Sequence, residues 1–385
     1  MITPINLSRR NRHSLVDAFE LKDLVLRGLP DMFDSDRQLF CSCLKREGNQ
    51  IVRHGDSPRY TVITLLGLQQ LKDAGEESPF EVNGILRLLL RYPEWVTNLR
   101  DLGLLIWLTA LAEPDRLRKT YLDFNVERAL KGYPGAEEGR TIELACFLTG
   151  LAHASLARST DLPDVTDLVL EVFRRLQKNQ GASGLFRHMT RKGVLGSVFQ
   201  DRTGTFADQV YSIYALSRFA QAFQIYEPLV PALDCAGAIC QLQGSMGQWW
   251  WRYDSEIGKI TAQYPIYSVH QDALAPIALM ALSEATGHSF AEPIAKGLRW
   301  IVGNNELHQD LRDIPLHVIW QGIELRDWHR QYPARTLSLL KTRDGTDRDG
   351  LTIREECRPC DFGWLLYALS NQLSVKSEPL GKRAS

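Results

Sequence analysis

The stretch that decides the fold is "FADQVYSIYALSRFA", Phe206 to Ala220. One acid sits near its start, and apolar residues then cover every side of a 3.6-residue repeat. That pattern marks a helix buried all round, not a surface helix with one wet face. The design returns five times: "RYTVITLLGLQQL" from Arg59, "NLRDLGLLIWLTALA" from Asn98, "RTIELACFLTGLAHA" from Arg140, "SVHQDALAPIALMAL" from Ser268 and "CDFGWLLYALSNQL" from Cys360. Amphipathic stretches lie between them, at 80–92, 125–133, 164–177, 230–243 and 290–302, with another near Ser14–Arg27. Buried helices alternating with half-exposed ones, and few alternating β-branched runs, predict an all-α fold. Six buried and six outer helices make an α/α toroid, a six-hairpin barrel; an irregular helical solenoid is the other arrangement open to this pattern. On this reading residues 1–58 form a helical segment packed on the barrel, 59–373 the toroid and 374–385 a disordered tail.

Composition narrows the partners. The 385 residues are 44% hydrophobic and 24% charged, with a formal net charge of −1. That balance gives no reason to expect nucleic acid or an anionic membrane surface as partner. No apolar h-region opens the chain and no run is long enough to span a bilayer, so no integral membrane segment is expected. Seven scattered cysteines read as free thiols in a reducing cytoplasm.

The outer helices end in Gly or Pro clusters, and two of these ends share one spacing: "QGASGLF" (Gln180, Gly184, Phe186) and "QGSMGQW" (Gln243, Gly247, Trp249). This resembles the QW repeat of the terpenoid cyclase and protein prenyltransferase superfamily, a fold-level likeness over residues 60–372. The resemblance implies a toroid in which the repeat marks the hand-over from outer to inner helix. It also implies an acid motif, DxDD, or a magnesium motif, DDxxD. Neither is present: "DRDG" (347–350) and "DSDR" (34–37) lack the last Asp. Prenyltransferases hold zinc with an Asp, a Cys and a His on the rim, which would point here to Cys360 or Asp361 with His270. The lone Cys357–Cys360 pair supplies only half a zinc site, so neither metal nor cofactor is expected. "TRDGTDRDG" (342–350) reads as a solvated turn.

In a toroid the inner helices start at one rim, where orphan N–H groups and the helix dipole favour acids and bound anions. The starts here hold Tyr60, Asp101, Glu143, Asp208, Asp272 and Asp361. Each acid alone reads equally as a helix cap; convergence on one cavity would shift their pKa values. The richest segment is "QWWWRYDSEIGKITAQYPIYSVHQDALAP" (248–276), in which "DSEIGK" reads as a hairpin turn. The candidate catalytic residues are His270 and Asp272 as an acid–base pair, with Tyr264, Tyr267 and Asp208. The candidate substrate-binding residues are Tyr60, Trp249, Trp250, Trp251, Arg252, Asp254, Gln271, Glu355 and Asp361. Three successive tryptophans cannot all face one side, so at least one belongs to the core. Arg252 and Asp254 read equally as an ion pair.

This vocabulary suits three classes. Aromatic faces stack on sugars, Arg binds a uronate carboxylate, and Tyr, His and carboxylates move protons. The first class is therefore a carbohydrate enzyme of lyase, epimerase or hydrolase type, acting on a glycan such as a uronate-containing surface polysaccharide. The second is a terpenoid cyclase or prenyl-transfer enzyme lacking both motifs, since π-faces also stabilise carbocations. The third is a non-catalytic toroid that binds a glycan or a protein.

Overall fold

The computed structural model describes residues 18–133, 136, 139–157, 162–190, 202–326 and 350–374, the last four through their helical backbone alone. In chain order the α-helices are α1 (Ala18–Gly28), α2 (Pro58–Asp73), α3 (Val82–Arg91), α4 (Leu99–Ala112), α5 (Leu117–Asp123), α6 (Ala129–Gly132) and α7 (Thr141–Leu156). There follow α8 (Thr166–Gln177), α9 (Phe206–Phe223), α10 (Leu229–Leu242), α11 (Ala275–Thr286), α12 (Ala291–Ile301) and α13 (Pro359–Ser374). Helices α2, α4, α7, α9, α11 and α13 are the apolar runs of the sequence. They stand in a closed ring, each against the next, with α13 returning to α2. Helices α3, α5, α8, α10 and α12 pack outside this ring, and α1 packs on α13. The chain is an α/α toroid.

Two features draw the ring tight. A Cβ on Gly67 would lie 2.1 Å from the Gly363 carbonyl oxygen, and one on Gly150 would lie 2.4 Å from that of Gly103. Helices α2 and α13, and likewise α4 and α7, therefore meet backbone to backbone. The two glutamine repeats tie the outer layer. Gln180 Nε2 donates to the carbonyls of Gly184 (2.8 Å) and Pro231 (2.9 Å), joining the end of α8 to the start of α10. Gln243 Nε2 does the same with Gly247 (3.1 Å) and Pro293 (2.9 Å), joining α10 to α12. Gly184 and Gly247 take positive φ (85° and 100°) in the turns that follow α8 and α10, a backbone that favours glycine.

The N-terminal segment departs from the helical expectation. After α1, residues Leu39–Glu47 and Gln50–Asp56 form an antiparallel hairpin, to which Glu356–Cys357 adds a strand. Its two-residue loop is Gly48–Asn49, with Gly48 at φ 61°, a hairpin signal that the search for helical periods passes over. The expected helix at 125–133 is instead a 3-10 turn, Val126–Arg128, running into the short α6, and Asn125, at φ 46°, separates it from α5. Among the described residues no helix is long and apolar enough to cross a membrane. Most of the "TRDGTDRDG" turn, and the tail after Ser374, lie outside the described residues.

Candidate functional site

The six inner-helix starts meet at one mouth. Ser57 caps α2 by accepting from Tyr60 N (3.2 Å), and Asn98 caps α4 by accepting from Asp101 N (3.1 Å). Asp101 is buried and taken by Arg59 (Nη2 to Oδ2, 3.1 Å). Glu143 is held by Arg140 at 3.4 Å. The fifth start is irregular: His270–Leu274 forms a π-helical turn ahead of α11. Pro276 explains it, because that residue has no N–H to give the Asp272 carbonyl and its ring crowds that group, so the turn widens.

That widened turn places Asp272 beside Asp361 at the start of α13. Asp272 is 4% exposed, and its Oδ1 finds no partner. Burial, reinforced by the Asp361 charge, holds the Asp272 carboxyl well above the usual carboxylate range. Asp361 is half-buried and accepts from Cys360 Sγ at 3.5 Å. Burial pushes its carboxyl up to about 6, against the opposing pull of Arg358. Two carboxyls thus share one corner of the mouth, and burial raises the proton affinity of each. Tyr60 and Tyr267 border the same corner, each half-buried, with burial raising the phenol of each.

The arginines are divided. Arg354 and Arg358 share Glu356, at 3.1 and 3.5 Å. Arg100 and Arg252 have no carboxylate within ion-pair range among the described residues, and the Nε of each is buried without a partner. Arg100 lies over the Tyr211 ring at 5.8 Å, and Arg252 over Trp251 at 5.7 Å. Burial pulls the Arg252 guanidinium below its ordinary value. The Asp208 charge acts on Arg252 from beyond ion-pair range, and a partly desolvated guanidinium with no carboxylate bonded to it is chemically suited to take an anion.

Several expected site residues are structural instead. Trp249 is fully buried against Phe206 (5.2 Å between ring centroids), and Trp250 donates to the Leu242 carbonyl at 2.9 Å, so only Trp251 reaches the mouth. Tyr264 donates to buried Glu306 (3.2 Å) in a cluster with Gln248 and Trp300, away from the mouth. Asp254 caps its own hairpin by accepting from Glu256 N (2.8 Å) and Ile257 N (3.1 Å); its ion pair is Arg202, not Arg252. Gln271 is fully buried and clasps the repeat backbone: with its amide oriented to satisfy both partners, it donates to the Gly247 carbonyl (3.0 Å) and accepts from Trp249 N (3.3 Å). Glu355 points outward to Arg46 (2.8 Å), because strand alternation turns Glu356 to the mouth in its place. His270 is 4% exposed between Phe206, Trp251 and Tyr267; burial holds its imidazole at about 3, so it stays neutral and cannot serve as an acid. Asp208 is fully buried and closes a capping box with Thr205, so it touches no substrate directly.

The sequence reading missed Arg100, Arg358 and His188. His188 Nδ1 lies 3.2 Å from Asp208 Oδ1, and the side chain is 46% exposed. A signal for it existed. His188 stands two residues after Phe186 as Trp251 stands two after Trp249, and each offers its carbonyl to the first N–H of an inner helix: Thr141 N to His188 O (2.9 Å) and Phe206 N to Trp251 O (3.1 Å). Among the described residues no three His, Cys, Asp or Glu side chains are grouped to hold a metal, and Cys357 and Cys360 are free buried thiols.

Compared by sequence, the chain matches no protein-family model and no curated protein. Compared by structure, it is similar to a possible member of the GH105 family from Salmonella enterica (TM-score 0.61, 13% identity, 98% of this chain and 100% of that one). It is also similar to an unsaturated glucuronyl hydrolase from Bacillus sp. GL1, responsible for the degradation of glycosaminoglycan (0.59, 16%, 92% and 96%). A third is a sugar epimerase from a ruminal bacterium (0.60, 10%, 92% and 97%). At these identities the likeness is one of fold, over nearly the whole length of each chain.

Proposed function

We propose that this protein is a carbohydrate enzyme that hydrolyses a uronyl residue from an acidic glycan. The observation that carries the proposal is that two half-buried guanidiniums, Arg100 and Arg252, have no carboxylate within ion-pair range among the described residues. A uronate supplies the missing anion and, bound there, brings its ring against Trp251 and Tyr267. At neutral pH Asp361, with its carboxyl near 6, is largely ionised and takes a proton from an attacking water. The fold-level likeness to a glucuronyl hydrolase and a sugar epimerase supports the same substrate class.

A cyclase would instead need a deep apolar chamber. Among the described residues, the apolar space between Trp107, Val210, Tyr211, Tyr214, Leu274, Ile277 and Trp364 has room for about one water molecule. The test is turnover of saturated and 4,5-unsaturated glucuronyl disaccharides against neutral disaccharides, with Asp361→Asn alongside. The proposal expects reducing-end release from the uronides alone, lost in Asp361→Asn. Hydrolysis of neutral sugars only, or an Asp361→Asn protein as active as the parent, would overturn it.

A further inference from the structure

We infer that His188, oriented by Asp208, is the general acid that protonates the departing sugar, across the mouth from Asp361. This rests on the uronyl-hydrolase proposal and supplies what that proposal leaves open: a base at Asp361 needs a proton donor for the leaving oxygen.

The geometry isolates His188 for that task. Its backbone is pinned on both sides, N–H to the Thr203 carbonyl (2.9 Å) and C=O to Thr141 N (2.9 Å), so the side chain projects from a fixed point. Nδ1 faces the two Asp208 oxygens at 3.2 and 3.3 Å. Asp208 cannot turn away, because its Oδ2 also accepts from Thr205 N and Thr205 Oγ1, both at 2.7 Å. With Nδ1–H given to that carboxylate, Nε2 is the nitrogen left for the solvent side of a ring 46% exposed. This is the base–orienter pairing of catalytic histidines, here built from a helix cap.

The charged groups facing His188 are Asp208 from α9, Arg140 from the start of α7, and Arg252 from the hairpin after α10. Asp208 raises the imidazole above its ordinary value, and the two arginines oppose this. Backbone and ring contacts give the order around the mouth. The His188 N–H bonds the Thr203 carbonyl, the strand Thr203–Thr205 pairs with Arg252–Asp254, and Trp251 beside Arg252 meets the ring of Tyr267, which borders the Asp361 corner, at 5.2 Å. A sugar held by Arg252 and stacked on Trp251 therefore has His188 on one side and Asp361 on the other.

In the step itself, the glycosidic C1–O bond breaks and the leaving oxygen takes the Nε2 proton of the His188 imidazolium. Water forms the new C1–O bond, and its proton passes to the Asp361 carboxylate. Solvent then returns a proton to His188 and removes one from Asp361.

The experiment compares two leaving groups on full-length protein, a glucuronyl disaccharide and 4-nitrophenyl glucuronide, in wild type, His188→Gln, Asp208→Asn and Asp272→Asn. Nitrophenolate departs without a proton, so loss of a general acid spares that substrate. Expected for His188→Gln is a fall in kcat of roughly 10²–10⁴-fold on the disaccharide, less than tenfold on the nitrophenyl substrate, and loss of the alkaline limb of the pH profile. Asp208→Asn should show the same selectivity, more weakly. Equal losses on both substrates, or no loss on either, would refute the role of His188; leaving-group selectivity confined to Asp272→Asn would move the acid there. If wild type turns over neither uronide, the uronyl-hydrolase proposal fails and this inference fails with it.

Discussion

Replacing Arg100 with Met should make the protein more stable and worse at holding its ligand. Arg100 is a half-buried cation with no carboxylate partner among the described residues, its Nε without any hydrogen bond and its guanidinium over Tyr211. Full burial of an unpaired ion costs several kcal/mol. Half exposure removes much of that penalty, and the cation–π contact returns about 0.5–2 kcal/mol. The net cost of keeping the charge is then about 1–2 kcal/mol, which methionine relieves while its thioether fills the space of the arginine stem. With an unfolding entropy of about 0.8 kcal/mol/K for 385 residues, the gain appears as a rise in Tm of about 2 °C. In binding, the same change removes a charge-assisted contact of about 1.5–3 kcal/mol, a loss of about 10–150-fold in affinity. Differential scanning calorimetry and titration calorimetry with a glucuronyl disaccharide measure the two quantities on one preparation. A variant that melts lower and binds unchanged would show that the guanidinium is structural, and the anion-site argument would fall.

Three further predictions follow from the geometry. Asp361 ionises near 6, so kcat/KM should rise with pH through about 6 as the base appears. Stability should decline between about pH 4 and 6, because a carboxyl raised from 3.8 in the fold holds its proton there while the unfolded chain has lost it; Asp361→Asn should flatten the Tm profile over that range. Gln243→Ala loses two hydrogen bonds that tie α10 to α12 and strands their carbonyl partners; a cost of about 1–3 kcal/mol should show in urea unfolding, with kcat at 25 °C unchanged. Gly363→Ala places a Cβ 2.5 Å from the Ile63 carbonyl, where only backbone can yield, so its cost in the same assay should meet or exceed the usual ~1–3 kcal/mol of overpacking.

The barrel was legible because its physics is periodic. A helix buried on all sides has to be apolar all round, and Phe206–Phe223 or Thr141–Leu156 can be recognised without knowing any neighbour. The glutamine repeats were legible too, although their work is mechanical: two amides staple the outer helices, and Gln271 clasps the turn. The hairpin at residues 39–56 was hidden because its strands pack against other strands, and strand pairing leaves only the weak Gly48–Asn49 trace in one sequence. Candidate residues were harder, since type and position do not report direction. Trp249, Trp250 and Trp251 look alike in sequence, yet only the third escapes burial. Glu355 and Glu356 differ by one step of a strand and face opposite ways. Arg100 carries no motif and is singled out by a missing partner; His188 had only its place two residues after the first glutamine repeat, and the buried carboxylate beside it shows in the structure alone.

The central claim is that this mouth receives a carboxylate. Titration calorimetry with a matched pair tests it most directly: a glucuronyl disaccharide and its carboxyl-reduced counterpart, identical except that –COO⁻ becomes –CH₂OH. Filling an unpaired, half-buried arginine with its counter-charge should favour the uronide by at least about tenfold, a difference of about 1.4 kcal/mol, and that preference should shrink in Arg100→Met and Arg252→Met. Equal affinity for the two sugars, or tighter binding of the reduced one, would contradict the account.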